Sequence, residues 1–309
     1  MRIAVIDLGT NSTRLLVGEV EKGRVRELDR RTTITRLGEG VDSSGRLADG
    51  AIQRVFDVVS EYRSAIDELQ TGTVVALATS AVRDAANGDA FREELRQRFG
   101  VDARTISGDE EARLTFLGAT SVHPGDGSPT LVLDIGGGST VFVEGEPGHD
   151  PAFHVSTRAG SVRQTERHIT DDPPPPDQLA SLAEEVRAIV RADVPDDVRR
   201  RVRRGIAVAG TATSLAAIDQ ELEPYEVREV DGYTLELGAC EMMLALLAEL
   251  PLERRRQLAG LHPDRAPTIV AGAIILIEAM RACGLEAMET SRSDILHGAA
   301  LVAAGQSGV

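Results

Sequence analysis

Residues 131–145 read LVLDIGGGSTVFVEG, and residues 3–19 read IAVIDLGTNSTRLLVGE. Laid over one another, Asp134 falls on Asp7, Ile135 on Leu8, Gly136 on Gly9, Ser139 on Ser12, Thr140 on Thr13 and Gly145 on Gly18. Each copy is an apolar run, an Asp, a turn of small residues and a second apolar run. Glycine in such a turn allows close backbone approach, and consecutive amides then point into one concavity suited to phosphate oxygens. The hydroxyls of Thr10, Ser12, Ser139 and Thr140 are expected to add donors. Asp7 and Asp134 end their strands, and both are expected to face the same cavity. A carboxylate there repels phosphate unless a hydrated Mg²⁺ lies between them. One device built twice implies two similar domains, with a ligand held in the cleft between them.

Working outward, residues 2–7, 13–20 and 24–34 read as a β-meander. A helical apolar spacing follows from about 48 to 69, then a strand running into a loop in VVALATSAVR, then a short helix in GDAFREELRQRF. Residues 108–122 read as another helix with Asp109, Glu110 and Glu111 in its first turn. The turn-rich HPGDGSP, 123–129, is the expected domain boundary and hinge. After it the meander begins again at 130–135, 140–145 and 151–156. A helix is expected at about 177–191. RGIAVAGTATSLAAI, 204–218, reads as strand, glycine turn and helix, a third turn whose Gly210 and Thr211 offer a further anion cradle. Residues 285–291 read as a last strand and 293–304 as a last helix. The result is an α/β protein with domain I at 1–124 plus about 293–309 and domain II at 125–292.

Composition narrows the function classes. The 309 residues exceed one typical core. A net charge of −15 argues against nucleic acid as a partner. An anionic substrate therefore needs a local cationic pocket. VRRRVRRG, 198–205, reads as a solvated helix end, with a landing strip for a long polyanion as the alternative. Cys240 and Cys283 lack CxxC spacing, and the chain starts on a strand with no signal peptide, so a cytoplasmic location is expected. The run 268–280 is too short to span a bilayer and reads as a buried helix, so no membrane association is expected.

Six stretches occur in order: DLGTNSTRLL, ATSAVRDAAN (78–87), ISGDEEARLTFLGA (106–119), DIGGGST, AGTATSLAA and HPDRAPTIVAGA (262–273). Together they resemble the exopolyphosphatase and guanosine pentaphosphate phosphatase (Ppx/GppA) family, in its short two-domain form, within the superfamily of sugar kinases, Hsp70 chaperones and actin. The resemblance runs over essentially the whole chain. It implies two ribonuclease-H-like domains about a cleft, and a homodimer.

It also implies roles. Glu111 becomes the catalytic base that activates water, and Arg83 a phosphate-facing arginine with a salt bridge to a neighbouring carboxylate as its plain alternative. Asn11 and Ser12 join Thr10, Gly136, Gly137, Gly138, Ser139, Gly210 and Thr211 as phosphate-binding residues. Asp134 becomes the principal ligand of Mg²⁺, or Mn²⁺ in its place, with Asp7 second. Arg265 either reaches the cleft or caps its helix. One departure stands out: where many relatives read SDRGLREG, this chain has SRSDILHG at 291–298, with Leu296-His297 in place of an Arg-Glu pair.

The implied reaction is Mg²⁺-dependent removal of the terminal phosphate of inorganic polyphosphate. Guanosine pentaphosphate is the alternative substrate, and the scarcity of aromatic residues for a base pocket tilts the reading toward polyphosphate. DLGTNSTR also looks like the first phosphate turn of sugar kinases, a phosphotransferase alternative. A non-catalytic, filament-forming relative of actin is a further class.

Overall fold

The computed structural model describes residues 1–122, 126–223 and 229–305. It divides into two compact units, Met1–Pro124 with Ser293–Val309, and Gly125–Arg292. Of the break expected at 123–129, residues 123–125 lie outside the described residues.

The first unit opens with the meander β1 (Arg2–Leu8), β2 (Ser12–Glu21) and β3 (Arg24–Ile34). It continues through α1 (Val41–Ser44), α2 (Asp49–Glu68), β4 (Thr73–Ala78), α3 (Ser80–Asp84), α4 (Gly88–Phe99), β5 (Ala103–Thr105) and α5 (Gly108–Thr120). The sheet order is β3-β2-β1-β4-β5, antiparallel through the meander and parallel from β1 to β4 to β5. β1 is buried on both faces, which is why it reads as an unbroken apolar run. Ala4, Ile6 and Leu8 face one core with Val55, Phe56, Val59, Tyr62 and Ile66 of α2. Ile3 and Val5, one residue out of phase, face a second core with Leu114 of α5.

The second unit repeats the plan. β6 (Thr130–Ile135), β7 (Thr140–Gly145) and β8 (Phe153–Thr157) form its meander. Then come α6 (Ser161–His168), α7 (Pro176–Asp193), α8 (Asp196–Arg201), β9 (Arg204–Val208) and α9 (Ala209–Asp219). β10 (Thr234–Glu236), α10 (Leu237–Glu249), α11 (Leu252–Arg255), α12 (Ile269–Cys283) and β11 (Ala287–Ser291) complete it. The order β10-β11-β9-β6-β7-β8 carries the same five-strand core, with β6 and β9 parallel as β1 and β4 are, plus an antiparallel edge strand. The paired α/β architecture expected from the repeat is thus present. α12 is buried from Ile269 to Met280, and among the described residues no helix is long and apolar enough to cross a membrane.

The chain then returns to the first unit as α13 (Ile295–Ala303), packed on α5. The crossing is close because two glycines meet the facing backbones. A Cβ on Gly118 would lie 1.9 Å from Asp294 O, and one on Gly298 would lie 1.9 Å from Leu114 O.

Several local readings need correction. The loop expected after β4 contains the short helix α3. The glycine turn expected at 209–214 is the first turn of α9 itself. There Ala209 takes a left-handed φ of 65°, a conformation costly for a residue with a Cβ, so that helix follows strand without a loop. α6, β5 and β10 carry too few apolar residues for periodicity to reveal them.

Candidate active site

The two repeated turns are built alike. In the first, the Thr10 carbonyl accepts from Gly38 N (2.8 Å), and the Asn11 carbonyl from Thr35 N (3.1 Å) and Arg36 N (2.9 Å). In the second, the Gly136 carbonyl accepts from Ser161 N (2.9 Å), and the Gly137 carbonyl from Val162 N (2.9 Å) and Arg163 N (3.1 Å). Arg163 Nε donates to the Gly138 carbonyl at 2.8 Å. A trans peptide points its C=O and N–H in opposite directions. Tying the carbonyls down on one side therefore turns the amides of Asn11, Gly137, Gly138 and Ser139 to the other. Among the described residues no acceptor takes these four amides. Each turn is held from behind, the first by the loop after β3 and the second by the start of α6, and turns its amides to the side where an anion could meet them. The second depends on Gly160, where a Cβ would lie 2.3 Å from Gly137 O and 2.4 Å from Ser139 N.

The side chains divide. Those of Asn11, Ser12 and Ser139 have no hydrogen-bond partner among the described residues. Thr10 Oγ1 hydrogen-bonds Ser80 Oγ at 2.9 Å, joining the turn to the start of α3. Thr140 does not serve as the expected donor: it is fully buried and its hydroxyl donates to the Ala159 carbonyl.

In the second unit Asp134 is buried at the end of β6, registered against Val208 of β9. The strand ends carry the second turn and the start of α9 side by side, and Thr211 Oγ1 lies 3.5 Å from Ile135 O. Gly210 and Thr211 thus sit at the free N-terminus of an 11-residue helix, where unpaired amides and the helix dipole favour an anion. The Arg265 guanidinium lies against Gly210, where a Cβ would be 1.7 Å from Nη1. This settles the position of Arg265 beside the α9 N-terminus.

In the first unit Asp7 is buried and its Oδ2 accepts from Arg14 Nε (2.8 Å) and Nη2 (2.6 Å). Its Oδ1 is buried with no hydrogen-bond partner. Burial pushes its carboxyl up, against the pull of Arg14. A buried carboxyl with one oxygen unpartnered suits a divalent cation or the water on it. No cluster of three His, Cys, Asp or Glu able to hold a metal occurs among the described residues. A cation here would take its other ligands from water and substrate phosphate, the habit of Mg²⁺.

Arg83 Nη1 donates to the Ile106 carbonyl (3.1 Å) and lies 3.4 Å from Glu111 Oε2. Glu111 is nine-tenths buried in the first turn of α5, whose N-cap Ser107 accepts from Glu110 N at 3.1 Å. Glu110 points elsewhere and pairs with Arg104 at 2.5 Å. Sequence reasoning missed Arg14, Asp294, Ser80 and the α6 N-terminus. Ser80 and the α6 N-terminus meet a turn distant in sequence and Asp294 meets Arg14 across 280 positions, so no local pattern marks them; Arg14 stands in DLGTNSTR itself, where nothing local shows which carboxylate it holds.

The arginines of 198–205 are each held by contacts within their own unit. Arg199 and Arg200 pair with Asp196, Arg201 grips Glu144 with both Nε (3.0 Å) and Nη2 (2.7 Å), and Arg204 pairs with Glu289 at 2.6 Å. Arg203 donates to the carbonyls of Arg200 and Val202.

The family model of Ppx/GppA phosphatases matches residues 16–303. Exopolyphosphatase 2 of Mycobacterium tuberculosis is 35% identical over 98% of this chain and 99% of its own length. The solved structure of an exopolyphosphatase-like protein superposes with a TM-score of 0.90 at 32% identity, covering 99% of both chains. That of the Aquifex aeolicus Ppx/GppA family member gives a TM-score of 0.83 at 28% identity, covering 100% of this chain and 99% of that one.

Proposed function

Because the chain belongs to the Ppx/GppA phosphatase family, we propose that it is an exopolyphosphatase, releasing the terminal phosphate of inorganic polyphosphate. The observation that carries this reading is the pair of turns of one construction, with carbonyls tied back and amides turned out as an anion cradle requires.

Roles follow from the chemistry. Asn11, Ser12, Gly137, Gly138 and Ser139 donate to phosphate oxygens, with Thr10 and Gly136 shaping their turns and Gly210 and Thr211 offering the α9 N-terminus. Asp134 and Asp7 hold Mg²⁺, or Mn²⁺ in its place, which when bound supplies neutralising charge beside the phosphates. Glu111 takes the proton of a water as its oxygen bonds to the terminal phosphorus. The bridging P–O bond breaks, and its electron pair leaves on the shortened chain. Arg83 holds the Glu111 carboxylate in place and sets a cation beside it. A positioned base contributes about 10²–10⁴-fold. Most of the remaining acceleration comes from positioning and charge stabilisation. The reading includes a homodimer in the cytoplasm. Free, buried Cys240 and Cys283 suit a reducing compartment.

The test is phosphate release by the purified protein with Mg²⁺, on a panel of polyphosphate lengths and on guanosine pentaphosphate. Release from polyphosphate is expected. Release from the nucleotide alone moves the assignment to a guanosine pentaphosphate phosphohydrolase. Transfer from ATP to a sugar, with no hydrolysis, moves it to the kinases.

A further inference from the structure

A chain of charged side chains runs from the first turn to the last helix. Arg14 holds Asp7 Oδ2 with Nε and Nη2 and turns Nη1 to Asp294 Oδ2 at 2.5 Å. Asp294 Oδ1 is the N-cap of α13, accepting from Leu296 N at 3.0 Å. Arg30 Nη2 reaches Asp294 Oδ2 at 3.3 Å, its Nη1 meets Glu27 Oε1 at 2.8 Å, and Glu27 Oε1 lies 3.3 Å from His297 Nε2. Asp294 and His297 both fall in SRSDILHG, the stretch that departs from the family pattern.

Two consequences follow from this geometry. Arg14 is clamped on a carboxylate fixed to the backbone of α13, so its fork takes one oxygen of Asp7 and leaves Oδ1 buried without a hydrogen-bond partner. The positive charge of Arg14 is also shared between two buried carboxylates rather than given to Asp7 alone. At such distances inside a protein a shared unit charge changes the field at a neighbouring oxygen strongly. We propose that Asp294 is a positioning residue for Asp7, drawing Arg14 aside so that Asp7 keeps an unpartnered oxygen for a divalent cation. The inference rests on the reading of Asp7 as a cation ligand, and it makes the last helix a part of the first turn's electrostatics.

The test is Mn²⁺ binding to the full-length protein, without substrate, followed by paramagnetic resonance at 20 °C. Asp294→Asn keeps the cap acceptor but surrenders the charge, so the Arg14 guanidinium is no longer shared with a second carboxylate and is drawn to Asp7. Mn²⁺ binding should weaken by about five- to tenfold. In an Arg14→Gln background the same change should have no further effect, because coupling between contacting residues is what such a cycle isolates. Arg30→Gln gives the opposite sign: Asp294 then binds Arg14 alone, and Mn²⁺ binding should tighten by about two- to threefold. This arm holds even if Asp294→Asn does not fold. Asp7→Asn separates the two readings. If it weakens Mn²⁺ binding while Asp294→Asn and Arg30→Gln leave it unchanged, Asp294 has no positioning role. If Asp7→Asn itself binds Mn²⁺ like the parent, Asp7 is no ligand and the reading beneath falls.

Discussion

Arg83 Nη1 lies 3.4 Å from Glu111 Oε2 while donating to the carbonyl of Ile106 at 3.1 Å. One guanidinium nitrogen thus fixes the candidate base to the backbone just before α5. Glu111→Gln removes the base but not its shape, and phosphate release should fall by about 10²–10⁴-fold with substrate binding little changed. Arg83→Lys keeps a charge but carries it on a shorter, more flexible stem, which does not set one nitrogen between the Ile106 carbonyl and Glu111 in the same way. Its kcat should fall by about ten- to a hundredfold. Steady-state rates on polyphosphate check both, and a Glu111→Gln protein with parental kcat would remove Glu111 from the mechanism.

The second cradle makes a prediction that does not involve any charged group. Gly160 supports the Gly137–Ser139 backbone so closely that a Cβ would sit within 2.3–2.4 Å of it. Gly160→Ala should push the turn off its place on α6, costing about 1–3 kcal/mol of stability. Its KM for polyphosphate should rise at least as steeply as kcat falls. A crystal structure of the variant with an unmoved turn and unaltered KM would show that the α6 contact does not shape the cradle.

Arg200 and Arg201 are neighbours with different work. Arg200 is exposed and meets the exposed Asp196, whereas Arg201 is the bidentate partner of buried Glu144. Arg200→Glu should leave thermal stability within about 0.5 kcal/mol of the parent. Arg201→Glu strands a buried carboxylate and should cost about 3–5 kcal/mol. Neither change should discriminate long from short polyphosphate, since these arginines are paired. A selective loss on long chains, measured with a graded set of lengths, would restore the polyanion track.

The repeat made the architecture legible because each β6- and β1-type strand is an unbroken apolar run ended by Asp and a small-residue turn. Both strand ends and both turns follow from that pattern, while the helix carrying Glu111 reads from its own stretch, 108–122. What stayed hidden shares one physical cause. The turns are held from behind by residues distant in sequence, Gly38 for the first and Ser161, Val162 and Arg163 for the second, and a backbone hydrogen bond leaves no signature in side-chain chemistry. Asp294 was hidden differently: its carboxylate reaches Arg14 across 280 positions of chain, and sequence alone shows only a cap for the last helix. The third glycine stretch reads as a turn before its helix because GTATS permits either a turn or a helix start, and only the left-handed Ala209 decides between them.

The same carboxylates predict how stability depends on pH. Burial alone would raise the Asp294 carboxyl, but Arg14 and Arg30 outweigh it, aided by His297, and hold it below its ordinary value of 3.8. Asp7 is raised above that value by burial, despite Arg14. The groups around the pair are Arg14, Arg30, Glu27 and His297. A lowered folded value means that the unfolded chain binds the proton more readily, so ionised Asp294 stabilises the fold at neutral pH. That contribution is whole above pH 3.8 and is lost as the pH falls through the lower folded value. For Asp7 the sign reverses: its ionised form costs stability at neutral pH, and the cost fades as the pH falls through its raised folded value. Asp294→Asn should therefore destabilise by about 3 kcal/mol at pH 7, with the gap to the parent closing below pH 3.8. Asp7→Asn should be more stable than the parent at pH 7, with its gap closing from a higher pH. Denaturant unfolding of the three proteins between pH 7 and pH 3 checks both signs, and two variants shifting in the same direction would mean that the carboxylates are not divided by Arg14 in this way.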